Sequence, residues 1–191
     1  MTGATTAAQK RREQVIQAAI GVFLRYGYAR TTMSDIAQAA ALTRPTLYLT
    51  FPDKEQVFRA VLDTMSADMF AAIRAGLPDH IGLEAKLRFA CESWGVGGLE
   101  MVLANPDAKD MFDLCFEPVQ DSYAGFQAIL VDILAEPLRH AGFEITAEEL
   151  ARIILFSIKG FKDTAQSGAD MRRLIAAHVT VIAAAIDRGA G

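Results

Sequence analysis

The chain has 191 residues, 52% of them hydrophobic, with 19 Lys and Arg against 23 Asp and Glu and a formal net charge of −4. That composition excludes a disordered class and is enough to bury a core, most simply in one small and one larger domain. Residues 1–60 carry eight basic and four acidic side chains and the remainder eleven and nineteen, so a segment of +4 precedes a body of −8, a distribution that suits one end placed on a polyanion.

Taken in chain order, the first predicted helix runs from about Lys10 to Tyr26. Val15, Ala19, Val22 and Tyr26 share one face, with Ile16, Ile20 and Phe23 beside them, and Gly27 is expected to end the helix as a left-handed cap. From Thr31 to Phe58 the chain reads as two short helices joined by a tight turn. Thr32 or Ser34 can cap the first, whose apolar positions are Met33, Ile36, Ala37 and Ala40. The second starts after Leu42 with Thr43 as cap, and tolerates Pro45 because first-turn N–H groups have no intrahelical acceptor. Leu47 and Phe51, four apart, face a core, which leaves Arg44, Thr46, Tyr48 and Thr50 pointing mostly outward with the apolar Leu49 among them. Such side chains reach base edges and phosphates.

After Pro52 and Asp53, a break and an N-cap, helical periodicity runs through Val57, Phe58, Val61, Leu62, Met65, Met69 and Ile73 to Gly76-Leu77-Pro78. Further helices are expected near residues 83–104, 106–116, 118–140, 147–167 and 169–188, with breaks at Asn105-Pro106, Glu117-Pro118, Ala141-Gly142 and Ser167-Gly168. The predicted class is therefore all-α. Leu150, Ile153, Ile154, Ser157 and Phe161 on one of the last two helices, and Met171, Leu174, Ile175, His178, Val179 and Ile182 on the other, form apolar stripes wider than one subunit should cover; packing into the monomer core is the alternative.

The ordered anchors Tyr26-Gly27-Tyr28, Thr31-Thr32, Asp35-Ile36-Ala37, Thr46-Leu47-Tyr48, Phe51-Pro52 and Lys54-Glu55 resemble the N-terminal domain of the tetracycline-repressor (TetR) family over residues 11 to 60. The chain departs from that pattern at Ala41, where the family usually has a turn glycine, and at Leu49 and Thr50, which replace larger polar or aromatic residues. The resemblance implies a helix-turn-helix DNA-binding domain over residues 1–54 and a helical ligand-binding and dimerisation domain over 55–191, with about nine helices in all. Base-edge contacts are expected from Arg44, Pro45, Thr46 and Leu49, phosphate contacts from Thr32, Thr43, Tyr48, Thr50 and Lys54, and a basic arm from Lys10, Arg11 and Arg12.

The resemblance also implies a dimer built from the last two helices, with Ile153, Ile154, Ser157, Phe161, Met171, Ile175, His178 and Ile182 at the interface, and an inducer pocket in the middle helices. There Phe89, Trp94, Met101, Phe112, Phe116, Tyr123 and Phe126 concentrate aromatic and thioether groups that are either ordinary core or a ligand site. Asp110, Asp113, Glu117 and Asp121 nearby would favour a cationic ligand, unless they are a solvated face. The function implied is a transcriptional regulator, a repressor released from a pseudo-palindromic operator by a small molecule; an activator, a multi-operator regulator or an enzyme using the central pocket are the alternatives.

No catalytic or metal constellation is legible and no cofactor is expected. His80, His140 and His178 are isolated, and Gly95-Val96-Gly97-Gly98 follows no strand, so a kink or close helix packing explains it better than a phosphate loop. Cys91 and Cys115 read as reduced core thiols without a basic neighbour, which gives little ground for a redox role. With neither an apolar leader nor about 18 uninterrupted apolar residues, a cytoplasmic location without membrane contact is expected.

Overall fold

The computed structural model describes residues 6–113 and 115–189. Among these residues the chain forms eight α-helices and two 3-10 segments and no strand: α1 (Ala7–Arg30), α2 (Met33–Ala39), α3 (Arg44–Tyr48), α4 (Lys54–Gly76), a 3-10 turn (Leu77–Asp79), α5 (Leu83–Ala104), a second 3-10 segment (Pro106–Phe112), α6 (Glu117–Ala141), α7 (Ala147–Thr164) and α8 (Gly168–Gly189). No described helix is long and apolar enough to cross a membrane.

Three helices begin with reciprocal capping, in which a threonine hydroxyl accepts an N–H at the third helical position and that residue's side chain accepts the threonine N–H: Thr6 with Gln9, Thr32 with Asp35 and Thr146 with Glu149. The first pair starts α1 at Ala7 rather than near Lys10. Lys10, Arg11 and Arg12, expected as a basic arm, consequently lie on the exposed surface of the first turns of α1. Asp53 caps α4 as expected, its Oδ1 accepting from the Gln56 N–H at 2.8 Å.

The helices divide into two compact units. One takes the chain up to Ser66 together with Asn105–Gln120; the other takes Ala67–Ala104 and the chain from Asp121 onward. In the first, Val15, Ala19 and Phe23 of α1 are buried with Ile36 of α2, Leu47 of α3, Phe51, and Val57 and Phe58 of α4. Tyr26, expected on the buried face of the first helix, is 40% exposed. Gly27 has φ +76 and redirects the chain, so Tyr28 takes the inward place, its ring 4.5 Å from Phe58 and 4.9 Å from Phe116. A Cβ at Gly27 would also strike the carbonyl of Asp107.

The segment expected as a helix over 106–116 is a 3-10 turn that ends at Phe112, and it packs on α1. Asp110 accepts the backbone N–H groups of Tyr28 (2.9 Å) and Ala29 (2.8 Å), Arg30 pairs with Asp107 at 2.6 Å, and Arg59 pairs with Glu117. Residues some eighty positions downstream thus complete the N-terminal unit.

In the second unit α5 to α8 enclose a core that includes Leu87, Cys91, Trp94, Phe126, Leu130, Leu134, Ile154, Ile158, Ile175 and Val179. A Cβ on Gly95 would lie 2.9 Å from Ile158 and 3.1 Å from both Ile175 and Met171, so within the glycine run of α5 it is Gly95 that lets α7 and α8 pack closely. Cys91 is a core thiol held protonated by burial, whereas Cys115, expected in a core helix, is exposed in the first unit.

Candidate functional site

The turn between α2 and α3 is built from Ala40, Ala41 and Leu42, and Ala41 adopts φ +52. This is the left-handed conformation that a turn glycine would take without strain. Its place is held from both sides. The Ala40 N–H bonds the Ile36 carbonyl, the Leu42 N–H bonds the Ala37 carbonyl, and Gln14 of α1 donates its side-chain amide to the Ala40 carbonyl at 2.8 Å. Ala41→Gly is expected to raise stability by about 0.5–1 kcal/mol, read from the denaturant midpoint, with the alanine's strain outweighing the entropy that glycine adds to the unfolded chain.

α3 is anchored by Leu47 and, just past its end, Phe51, both fully buried, while Arg12 of α1 lies over the Phe51 ring at 4.3 Å. Arg44 and Pro45 are exposed, Tyr48 is 42% exposed and Leu49 is 85% exposed. Arg44, Tyr48 and Leu49 project outward as the spacing predicts and Pro45 joins them, whereas Thr46 and Thr50, expected outward as well, are half-buried. The threonines are more constrained. Thr43 caps the helix and shares a hydroxyl hydrogen bond with Thr46 (2.8 Å), Thr50 donates to the Thr46 carbonyl, and Thr32 donates to Asp35 (2.6 Å).

Lys54, expected at a phosphate, has an internal task. Its ammonium donates to the Tyr28 carbonyl at 2.7 Å and lies 4.3 Å from the centre of the Tyr28 ring. It holds the end of α1 against the start of α4.

The aromatic residues grouped from sequence as a ligand region fall into separate places. Trp94 stacks on Phe126 at 4.5 Å and 6°, and receives the edge of Tyr123 at 4.9 Å. Met101 is half-buried on α5. Phe89 stacks instead on His80 at 4.2 Å, beside a groove of about 480 Å³ that also includes Ile81, Glu84, Arg88 and Glu92. Phe112 and Phe116 belong to the N-terminal unit, Phe116 meeting Tyr28 and Phe58. Helical spacing cannot say that the chain leaves one core for another between Ala104 and Asp121. Of the acids considered for a cation, Asp110, Asp113 and Glu117 are placed there too, Asp110 binding the α1 backbone and Glu117 binding Arg59, while Asp121 begins the second unit's share of α6.

The residues expected at a dimer interface divide by face. Ile154, Met171 and Ile175 are fully buried within the subunit, because the inner face of each amphipathic helix serves its own core. Ile153 is 51% exposed, Ser157, Phe161, His178 and Ile182 are half-buried, and Phe161 meets His178 edge-on. Burial keeps the His178 imidazole toward its neutral form. Phe156 (47% exposed) and Val181 (68%) continue this outer face and are missing from the residues expected there. Their signal is the i, i+3 step from Ile153 and from His178.

Residues 15–61 match the family model for bacterial regulatory proteins, tetR family. The HTH-type transcriptional regulator TtgR of Pseudomonas putida is 43% identical over 58 residues, which are 30% of this chain and 28% of that protein. The HTH-type transcriptional repressor ComR of Escherichia coli is 41% identical over 61 residues, 32% and 29% of the two chains. These matches span less than a third of each relative's length. Nearly the whole chain shares its fold with the transcriptional regulator FadR from Bacillus subtilis, solved in complex with stearoyl-CoA, at a TM-score of 0.67 and 17% identity over 91% of this chain and 98% of that one.

Proposed function

We propose that this chain, a TetR-family transcriptional regulator, works as a cytoplasmic homodimer that sets two α3 helices into a pseudo-palindromic DNA operator and lets go when a small molecule binds its C-terminal unit. The observation that carries the reading is the outward cluster of Arg44, Pro45, Tyr48 and Leu49 on a helix whose Leu47 and following Phe51 are fully buried. In this arrangement Arg44 reads a guanine edge, Leu49 meets a thymine methyl and the Tyr48 hydroxyl fixes the helix on a phosphate. Thr32, Thr43 and Thr50 hold the helix ends and reach phosphate with the hydrogen-bonding capacity left to their hydroxyls, and the Thr46 hydroxyl, hydrogen-bonded to Thr43, is left for a base edge. Lys10 and Arg11 supply sequence-independent attraction from α1.

The outer faces of α7 and α8, with Ile153, Phe156 and Val181 exposed, are the surfaces a second copy covers. A small molecule changes DNA affinity only through unequal binding to the two conformations of the dimer, so release follows if it prefers the one with the wrong head spacing. FadR, whose fold this chain shares, was solved with stearoyl-CoA, which supports an effector with a long apolar chain for the C-terminal unit. An enzyme reading has no support, since the matched relatives are transcriptional regulators.

The test is selection of bound fragments from a random DNA pool, followed by titration of the recovered site at fixed salt. Tyr48→Phe should weaken every site alike. Arg44→Ala should cost about 1–3 kcal/mol and relax preference at one position in each half-site. Failure to recover a palindrome rejects the operator reading, and equal losses at all sites for both variants reject the separate roles of the two side chains.

A further inference from the structure

The C-terminal unit contains a charged group that its folding does not explain. Lys162 of α7 directs its ammonium at the indole of Trp94, with Nζ 3.8 Å from the ring centroid. Phe126 stacks on the same indole and Tyr123 meets its edge, so the cation lies within an aromatic cluster. Room for it is made by α5: a Cβ on Gly98 would lie 2.7 Å from Nζ and 3.3 Å from Cε. Among the described residues Lys162 has no carboxylate partner. Its helix neighbours Lys159 and Asp163 pair with each other at 3.5 Å, and Glu100, two residues beyond Gly98, is taken by Arg172 at 3.2 Å. Lys162 is half-buried as a residue, and burial around its ammonium pulls it down to about 8 from its ordinary value against the opposing effect of Asp163.

A cation held this way is costly unless something anionic completes it; the groups it touches are aromatic, and the carboxylate that acts on it, Asp163, is largely exposed and paired with Lys159. We propose that Lys162, Trp94 and Gly98 form the anion-recognising end of the effector site, and that the effector carries a carboxylate on an apolar tail. The inference rests on the reading of the C-terminal unit as effector-binding and adds the sign of the ligand's charge. It is opposite in sign to the cationic ligand that the sequence left open beside a solvated acidic face, because Asp110 and Glu117 are occupied in the N-terminal unit while the group over Trp94 is a lysine.

Decanoate, decan-1-ol and decylamine, which share a tail and differ in headgroup charge, separate the possibilities. Each is titrated into the full-length protein, with binding read by calorimetry and by the emission of Trp94, the only tryptophan. Decanoate is expected to bind saturably and at least about tenfold more tightly than decan-1-ol, with decylamine weakest. Lys162→Met, a neutral residue of similar length, should bring decanoate to the level of decan-1-ol. Lys162→Arg should retain a preference for the acid, and circular dichroism checks that both variants fold. Equal binding of acid and alcohol by the wild type, or tightest binding of the amine, overturns the anionic assignment while leaving an effector site in the unit. A preference for decanoate that survives in Lys162→Met overturns the role of Lys162. Absence of saturable binding by all three overturns both the anionic effector and the effector-site reading beneath it.

Discussion

Val181→Asp is expected to give a folded monomer that has lost tight operator binding, and Ile175→Asp a chain that does not fold. Six residues apart on α8, the two positions lie about 120° apart around the helix, one on its inner face and one on exposed surface. Ile175 is fully buried, within the enclosure of α5, α7 and α8. A carboxylate there would be unpaired in apolar surroundings, and a cost of several kcal/mol is comparable with the roughly 5–15 kcal/mol that holds a typical domain together. Val181 is 68% exposed, so its replacement is nearly neutral in a single subunit. In a symmetric dimer the same change would bury two like charges in one apolar contact, and losing the dimer also removes the second reading head. Light scattering and circular dichroism separate the outcomes. A folded Val181→Asp dimer, matched by a folded Phe156→Asp dimer, would move the interface off this face. A folded Ile175→Asp protein would contradict the packing of the core.

The contrast between Val181 and Ile175 also marks what can be read from the sequence. Periodicity locates α7 and α8 and their apolar residues, but it carries no phase relative to a partner, so Ile154, Met171 and Ile175 are expected outward and in fact face inward. Helix boundaries are legible where a cap or breaker is local, as at Asp53, Asn105 and Ala141-Gly142. The outward cluster on α3 is legible for the same reason, since Thr43, Pro45, Leu47 and Phe51 define its faces within one short stretch. Two features have no local signal. The cation over Trp94 joins α5 to α7 across 68 positions, and the completion of the first core by residues 105–120 depends on Tyr28 and Asp110, 82 apart. Interactions at that separation can be found from structure, whereas the periodicity around Phe112 and Phe116 looks the same whichever core receives them.

Asp110→Ala should therefore destabilise the N-terminal unit although it lies outside the segment that resembles a DNA-binding domain. Its carboxylate accepts the N–H groups of Tyr28 and Ala29 just after the φ +76 bend at Gly27, where the helical conformation of α1 is interrupted. Hydrogen bonds to a charged group contribute about 1.5–3 kcal/mol each when buried; these are at best half-buried, so a total loss of about 2 kcal/mol is expected for the pair. Arg30 with Asp107 and Arg59 with Glu117 remain, but both are largely exposed and contribute little. Asp110→Asn retains one side-chain oxygen and should fall between wild type and alanine. Because Tyr28 also carries the contacts to Phe58, Phe116 and Lys54, the loosened turn should be seen as faster hydrogen exchange at the Tyr28 and Ala29 amides and weaker operator binding, with Arg44-dependent site preference unchanged. Unchanged exchange at those amides, together with an unchanged unfolding midpoint, would reject the view that this carboxylate completes the reading head.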